Sequence, residues 1–109
     1  MSRRTPTKRK DFVQVYRVVL ERCDNVRLGA RLAIAFGLAV HTQRAGRPLS
    51  AALLGKRAGW PPSSCRAVIA QLRRRGWLDA EGKLSTSAAE LGSEAHLQLS
   101  WDVVRTHRH

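Results

Sequence analysis

A chain of 109 residues has room for one modest hydrophobic core, and its apolar fraction of 43% and charged fraction of 26% are those of a globular protein. Its formal net charge of +12 argues against mimicry of an acidic protein and points to a polyanionic partner, nucleic acid ahead of anionic membrane. The most apolar run, Leu32 to Val40, is too short to span a bilayer, and Cys23 and Cys65 sit far apart with no Cys-x-x-Cys pair, so nothing suggests a disulfide framework or a zinc site. A cytoplasmic, nucleoid-associated protein with no membrane partner, no metal and no cofactor is expected.

The charge is unevenly spread. From Asn25 to Leu78 there is no Asp or Glu, yet the segment carries Arg27, Arg31, Arg44, Arg47, Lys56, Arg57, Arg66, Arg73, Arg74 and Arg75. One-sided charge over such a length suits a surface facing phosphates, because releasing their condensed counterions drives association.

Residues 1–10 hold Arg3, Arg4, Lys8, Arg9 and Lys10 and no apolar side chain beyond Met1. Such a segment cannot bury itself and is expected to form a flexible basic arm ahead of a single domain over 11–109. Arms of this kind track phosphates or enter a minor groove, which makes Arg3 and Arg4 candidate DNA contacts. Asp11 is placed to cap a helix from about Phe12 to Cys23, with Phe12, Val15, Tyr16 and Val19 on one face. Asp24 and Asn25 interrupt the pattern, and a second helix is predicted from about Arg27 to Gln43. That helix is apolar around nearly its whole circumference, which means burial on most sides. Gly29, Ala33 and Gly37 form a small-residue stripe along it, expected to pack inside the same chain in preference to a second copy. Together these two N-terminal helices occupy 11–45.

Ser50 is a good N-cap for a short helix from Ala51 to Ala58, and Gly59 supplies its stop. Trp60-Pro61-Pro62 makes a stiff connection. Ser63 or Ser64 is expected to cap the next helix, which runs to about Arg75 with Cys65, Val68, Ile69 and Leu72 inward. Two short helices joined by a tight turn, the second one basic, make a helix-turn-helix. Trp77-Leu78-Asp79, the turn Ala80-Glu81-Gly82-Lys83 and Leu84-Ser85 then read as a small hairpin.

In this order of features the stretch from Leu49 to Leu91 resembles the winged helix-turn-helix family of bacterial DNA-binding proteins. The matching residues are Leu49 to Gly59, then Ser63 to Leu72, then Arg75-Gly76-Trp77-Leu78. Ser64-Cys65 takes the place of the small polar and apolar pair near the start of the family's recognition helix, and Arg75-Gly76 that of its closing basic residue and Gly. The resemblance implies a mainly α fold with a small β wing (an α+β architecture), in which the winged helix-turn-helix at 49–91 follows two N-terminal helices. It departs from the family in the large Trp60 after the turn and in Asp79 and Glu81, which leave the wing tip short of positive charge.

The family role assigns the second helix to the major groove, the groove in which base edges can be read. With its apolar side chains inward, the outer face presents Ser63, Ser64, Arg66, Ala67, Ala70, Gln71, Arg73 and Arg74. Arg66 suits guanine and Gln71 adenine. Ser63 and Ser64 at the helix start suit a phosphate, Ala67 allows close approach, and Arg73, Arg74 and the wing residue Lys83 suit the backbone.

After the wing, Ser87-Ala88-Ala89-Glu90 is a capping-box pattern opening a helix through Leu91, stopped by Gly92 and Ser93. In the C-terminal extension over 92–109, Leu97, Leu99, Trp101 and Val103 alternate as in a strand, while Leu97, Trp101 and Val104 also fit a helix. The strand is preferred, joined to the wing sheet or to a second chain. Thr106 to His109 reads as a loose tail.

The expected function is sequence-specific double-stranded DNA binding by a small transcription repressor, a homodimer on an inverted repeat. Its contact is expected from the N-terminal helices around Tyr16 and Phe36 with help from Leu97 to Val104. An accessory role in plasmid or phage replication, partition or recombination is the alternative, with RNA binding behind it. An enzyme is not expected, since no nucleophile elbow, phosphate loop, HExxH motif or carboxylate pair is present.

Overall fold

A computed structural model describes residues 12–23, 25–91 and 96–106. The arm, the Asp11 cap, the breaker Asp24, the stop at Gly92 and Ser93 and the tail beyond Thr106 lie outside the described residues. Among these residues the fold is mainly helical with one two-stranded antiparallel sheet.

The long helix α2 (Val26–Arg44) is the centre of the molecule. Asn25 caps it, its side chain accepting a hydrogen bond from the Leu28 amide at 3.0 Å. Every residue from Leu32 to Val40 is buried, as an all-round apolar helix requires.

The segment ahead of it differs from the expected helix. Phe12–Tyr16 is a strand, β1, and only Arg17–Glu21 is helical, α1. The partner of β1 is β2 (His96–Ser100), in antiparallel register with Val13 opposite Leu99 and Gln14 opposite Gln98. The preferred strand in the C-terminal stretch is therefore present, but it ends at Ser100 and gives way to α6 (Trp101–Thr106). Among the described residues its strand partner is β1, and it does not join the segment expected to form the wing.

The small-residue stripe explains how the sheet seats itself. A Cβ on Gly37 would lie 1.8 Å from the Gln14 carbonyl oxygen, so the backbone of β1 crosses α2 where no side chain stands in the way. Gly29 faces the Cys23 side chain, which an added Cβ would meet at 3.3 Å, and Ala33 is fully buried. The stripe thus serves packing within one chain.

Tyr16 and Phe36 are both fully buried and meet edge to face at 5.7 Å, and Phe36 meets Trp77 likewise at 5.8 Å. This chain of rings ties β1 through α2 to the segment after the fourth helix. It also removes Tyr16 and Phe36 from any dimer surface, correcting the expected contact. Trp101 and Val104 of the C-terminal segment are buried too, leaving Leu97 and Val103 exposed there.

The shorter helices are α3 (Ala51–Ala58), α4 (Pro62–Arg74) and α5 (Thr86–Leu91). Ser50 caps α3, accepting from the Leu53 amide at 3.1 Å. α5 is capped by Ser85, whose hydroxyl accepts from the Ala88 amide at 3.2 Å, so Ser87 sits inside the first turn and is not the cap. Between α4 and α5, the expected two-strand wing is reduced to one isolated bridge, Leu78 opposite Leu84. α6 returns to α3, where the Arg105 guanidinium donates to the Arg57 carbonyl at 3.0 Å. None of the described helices is long and apolar enough to cross a membrane.

Candidate nucleic-acid interface

α4 starts two to three residues earlier than a cap at Ser63 or Ser64 would give. Pro61 is its N-cap and Pro62 its first residue, and no side chain caps it. Proline suits this place because its fixed φ is already helical and its missing N–H would have no partner in the ladder. The ladder begins with the Cys65 amide donating to Pro61 at 3.1 Å. Ser63 and Ser64 therefore fall in the first turn, where their backbone N–H groups precede the ladder and suit an anion.

The helix phase agrees with the expected one. Cys65, Val68, Ile69 and Leu72 are buried, with Cys65 and Leu72 at 0% exposure. The Cys65 thiol reaches the Trp60 carbonyl at 3.6 Å, and burial pushes its pKa up against the opposing pull of Arg31 and Arg66. With that face committed, Ser63, Arg66, Ala67, Ala70, Arg73 and Arg74 are exposed, and Ser64 and Gln71 are half-buried. Side chains three and four apart on a helix share a face, so Ser63, Arg66, Ala67, Ala70 and Arg74 form one continuous surface. It carries positive charge and no acid.

Arg73 behaves differently from Arg74. Its Nε donates to the Asp79 carbonyl at 3.2 Å and its Nη2 to the Ala80 carbonyl at 3.3 Å. The guanidinium thus clamps the turn after α4, and its donors are shared with the protein's own backbone. The Asp79 carboxylate organises the same turn, accepting the amides of Glu81 at 2.8 Å and Lys83 at 3.0 Å. The amide hydrogen bond from Lys83, with further help from those of Glu81 and Gly82, holds its pKa below the ordinary value. Gly82 completes the turn at φ +88°, and a Cβ there would meet the Leu49 carbonyl at 2.4 Å. The Leu49 amide donates to Gly82 at 2.9 Å, so the chain entering α3 and the turn leaving α4 hold each other. Lys83 is exposed on this turn, beside an acid with a structural task.

Two cations of the acid-free segment face the protein. The Arg31 guanidinium lies 5.3 Å from the Trp60 ring centre and that of Arg75 lies 5.7 Å from Trp77. Arg75 also donates to the Arg22 carbonyl at 3.2 Å, joining the end of α4 to the end of α1. Nothing in the sequence separates these two from the other arginines, because stacking depends on tertiary placement. On the outside, Arg27, Arg44, Arg47 and Lys56 extend the exposed cations beyond α4. Their positions on α2, α3 and the connection between them were open to a helical-wheel reading, yet they were not among the expected contacts. Arg3 and Arg4 lie outside the described residues. Comparison with models of protein families, with curated proteins and with solved structures finds no match, so any assignment rests on these residues and their geometry.

Proposed function

We propose that this chain is a winged helix-turn-helix protein that binds double-stranded DNA in a sequence-specific manner, inserting the outer face of α4 into the major groove, and acts as a small repressor by occupying its site. The observation that supports the reading best is the division of α4. Four apolar side chains hold the helix to the core, while Arg66 and Arg74 stand exposed among Ser63, Ala67 and Ala70. A helix approaching base edges needs small residues to come close and a long donor to reach them, and this face has both. Clamping by Arg73 and stacking by Arg75 fix the far end of the helix, so little ordering entropy would be lost on docking. Exposed Lys56 on α3 and Arg47 ahead of it are of the type that positions such a helix by phosphate contact.

One recognition helix spans too few base pairs to select a genomic site, which favours a homodimer on an inverted repeat with half-sites about one DNA turn apart. The exposed apolar side chains Phe12, Leu20, Leu97 and Val103 are the candidates for its contact. Selection of bound duplexes from a random pool tests the whole reading. An enriched motif, repeated in inverted orientation, is expected. Binding that enriches no motif and fades equally for all duplexes with salt would reject sequence-specific recognition, and preferential competition by structured RNA would reject duplex DNA as the partner.

A further inference from the structure

We propose that the cleft between the sheet, α2 and α3 binds a small organic carboxylate with a ring-sized apolar body. The cleft has a volume of about 170 Å³. Its apolar lining is Phe12, which is 40% exposed and so open to a ligand, with Val13, Leu38 and Trp101 closing the floor beneath it. An apolar cavity of about 150 Å³ accommodates benzene, which sets the size of the body this one takes.

The rim is cationic. His41 and Arg44 line it from one face of α2, three residues apart, and Arg57 lines it from α3. Gln14 and Gln98, directly opposed in the sheet register, add two amides. No Asp or Glu lines the cleft among the described residues, and there neither the Arg44 nor the Arg57 guanidinium has a hydrogen-bond or ion-pair partner. A guanidinium fork matches a planar carboxylate in charge and geometry. A DNA phosphate would satisfy the rim but leave the apolar lining at Phe12 unused. An uncharged ring would use that lining and leave two guanidiniums unanswered. Only a ligand with both parts answers the whole cleft.

The proposal does not depend on DNA binding and is tested without it. The full ¹⁵N-labelled chain is titrated with sodium benzoate at constant ionic strength, following backbone amides and the tryptophan indoles by NMR. Sodium acetate and benzyl alcohol serve as probes carrying one half of the chemistry each. Benzoate is expected to shift the Trp101 indole and the amides around Arg57 and Gln98 saturably, with each half-probe roughly tenfold or more weaker. Arg44→Gln combined with Arg57→Gln, both on the rim, is expected to weaken benzoate by a similar factor while the spectrum stays dispersed. Acetate acting as strongly as benzoate would reduce the site to simple anion attraction and overturn the proposal. So would shifts centred equally on Arg66 and Arg74, or benzoate binding untouched by the double substitution.

Discussion

Replacing Gly37 by alanine sets two opposing effects against each other. In a helix interior, alanine is favoured over glycine by about 0.8–1.0 kcal/mol, so on α2 alone the change would stabilise. The structure places a carbonyl oxygen in the way. To accept the new methyl, the Gln14 backbone must retreat from 1.8 Å to at least 3.0 Å, and the Val13 side chain, at 2.9 Å, must follow. The neighbour is the main chain of β1, held by its pairing to β2, and cannot rotate aside as a flexible side chain would. Overpacking of this kind costs about 1–3 kcal/mol and sits here at the upper end, leaving a net loss of about 2 kcal/mol. For a domain of this size that is a fall in Tm of roughly 10 °C. Gly55→Ala on α3 is the matched control. Its Cβ would meet the Cys65 sulfur and the Trp60 carbonyl at an ordinary 3.5 Å, so the propensity gain should survive and raise stability by up to about 1 kcal/mol. Urea unfolding followed by circular dichroism measures both. If Gly37→Ala stabilised as Gly55→Ala does, β1 would not cross α2 at this point, and residues 12–16 would be free to form the helix their spacing first suggested.

Arg66→Ala should weaken binding to the preferred duplex by about 1–3 kcal/mol and relax one position of the site, measured by fluorescence anisotropy on matched and altered duplexes. An equal loss on all duplexes would make Arg66 a phosphate contact. Native Cys65 should resist a thiol reagent while half-buried Cys23 reacts, because Cys65 is fully covered and its raised pKa keeps it protonated. Rapid labelling of Cys65 in folded protein would overturn the phase of α4 and with it the outer face. Asp79 carries a pKa below the ordinary carboxylate value. Its contribution to the turn should be complete above that ordinary value and be lost only as pH falls through the lower, folded one. The Glu81 and Lys83 amide shifts, followed by NMR against pH, should therefore titrate below the usual range, about 3.9 for a free Asp; a midpoint at that value would show that the turn does not hold the carboxylate.

The central helices were legible because their signals are local and redundant. Cys65, Val68, Ile69 and Leu72 recur at helical spacing, and Ser50 and Gly59 bracket α3 with the capping chemistry of their own side chains and backbone. Phe12–Tyr16 offered five residues compatible with either period, and what decides for the strand is pairing with His96–Ser100 far along the chain. The close approach required at Gly37 was visible as a stripe of small residues, but not the identity of what approaches. At the start of α4 two serines drew attention from a proline better suited to the first helical position. The outer face of the helix followed once its inner face was known. The separate employment of Arg31, Arg73 and Arg75 did not follow, since three arginines alike in sequence are divided by ring stacking and backbone carbonyls that only the folded chain supplies.

The pairing of β1 with β2 has a consequence for how the chain reaches its fold. Closing a loop between Phe12 and Ser100 spans nearly the whole length, and contacts so distant in sequence slow the search for the native state. The α3–α4 pair, by contrast, is joined by a three-residue link and can form from neighbours alone. During synthesis, a strand edge of alternating Val13 and Val15 therefore stays open until His96–Ser100 has emerged, beside a helix whose apolar surface also waits for cover. The early chain holds its candidate recognition helix before it holds its sheet, and in that interval its exposed strand is the part most prone to pair with another copy.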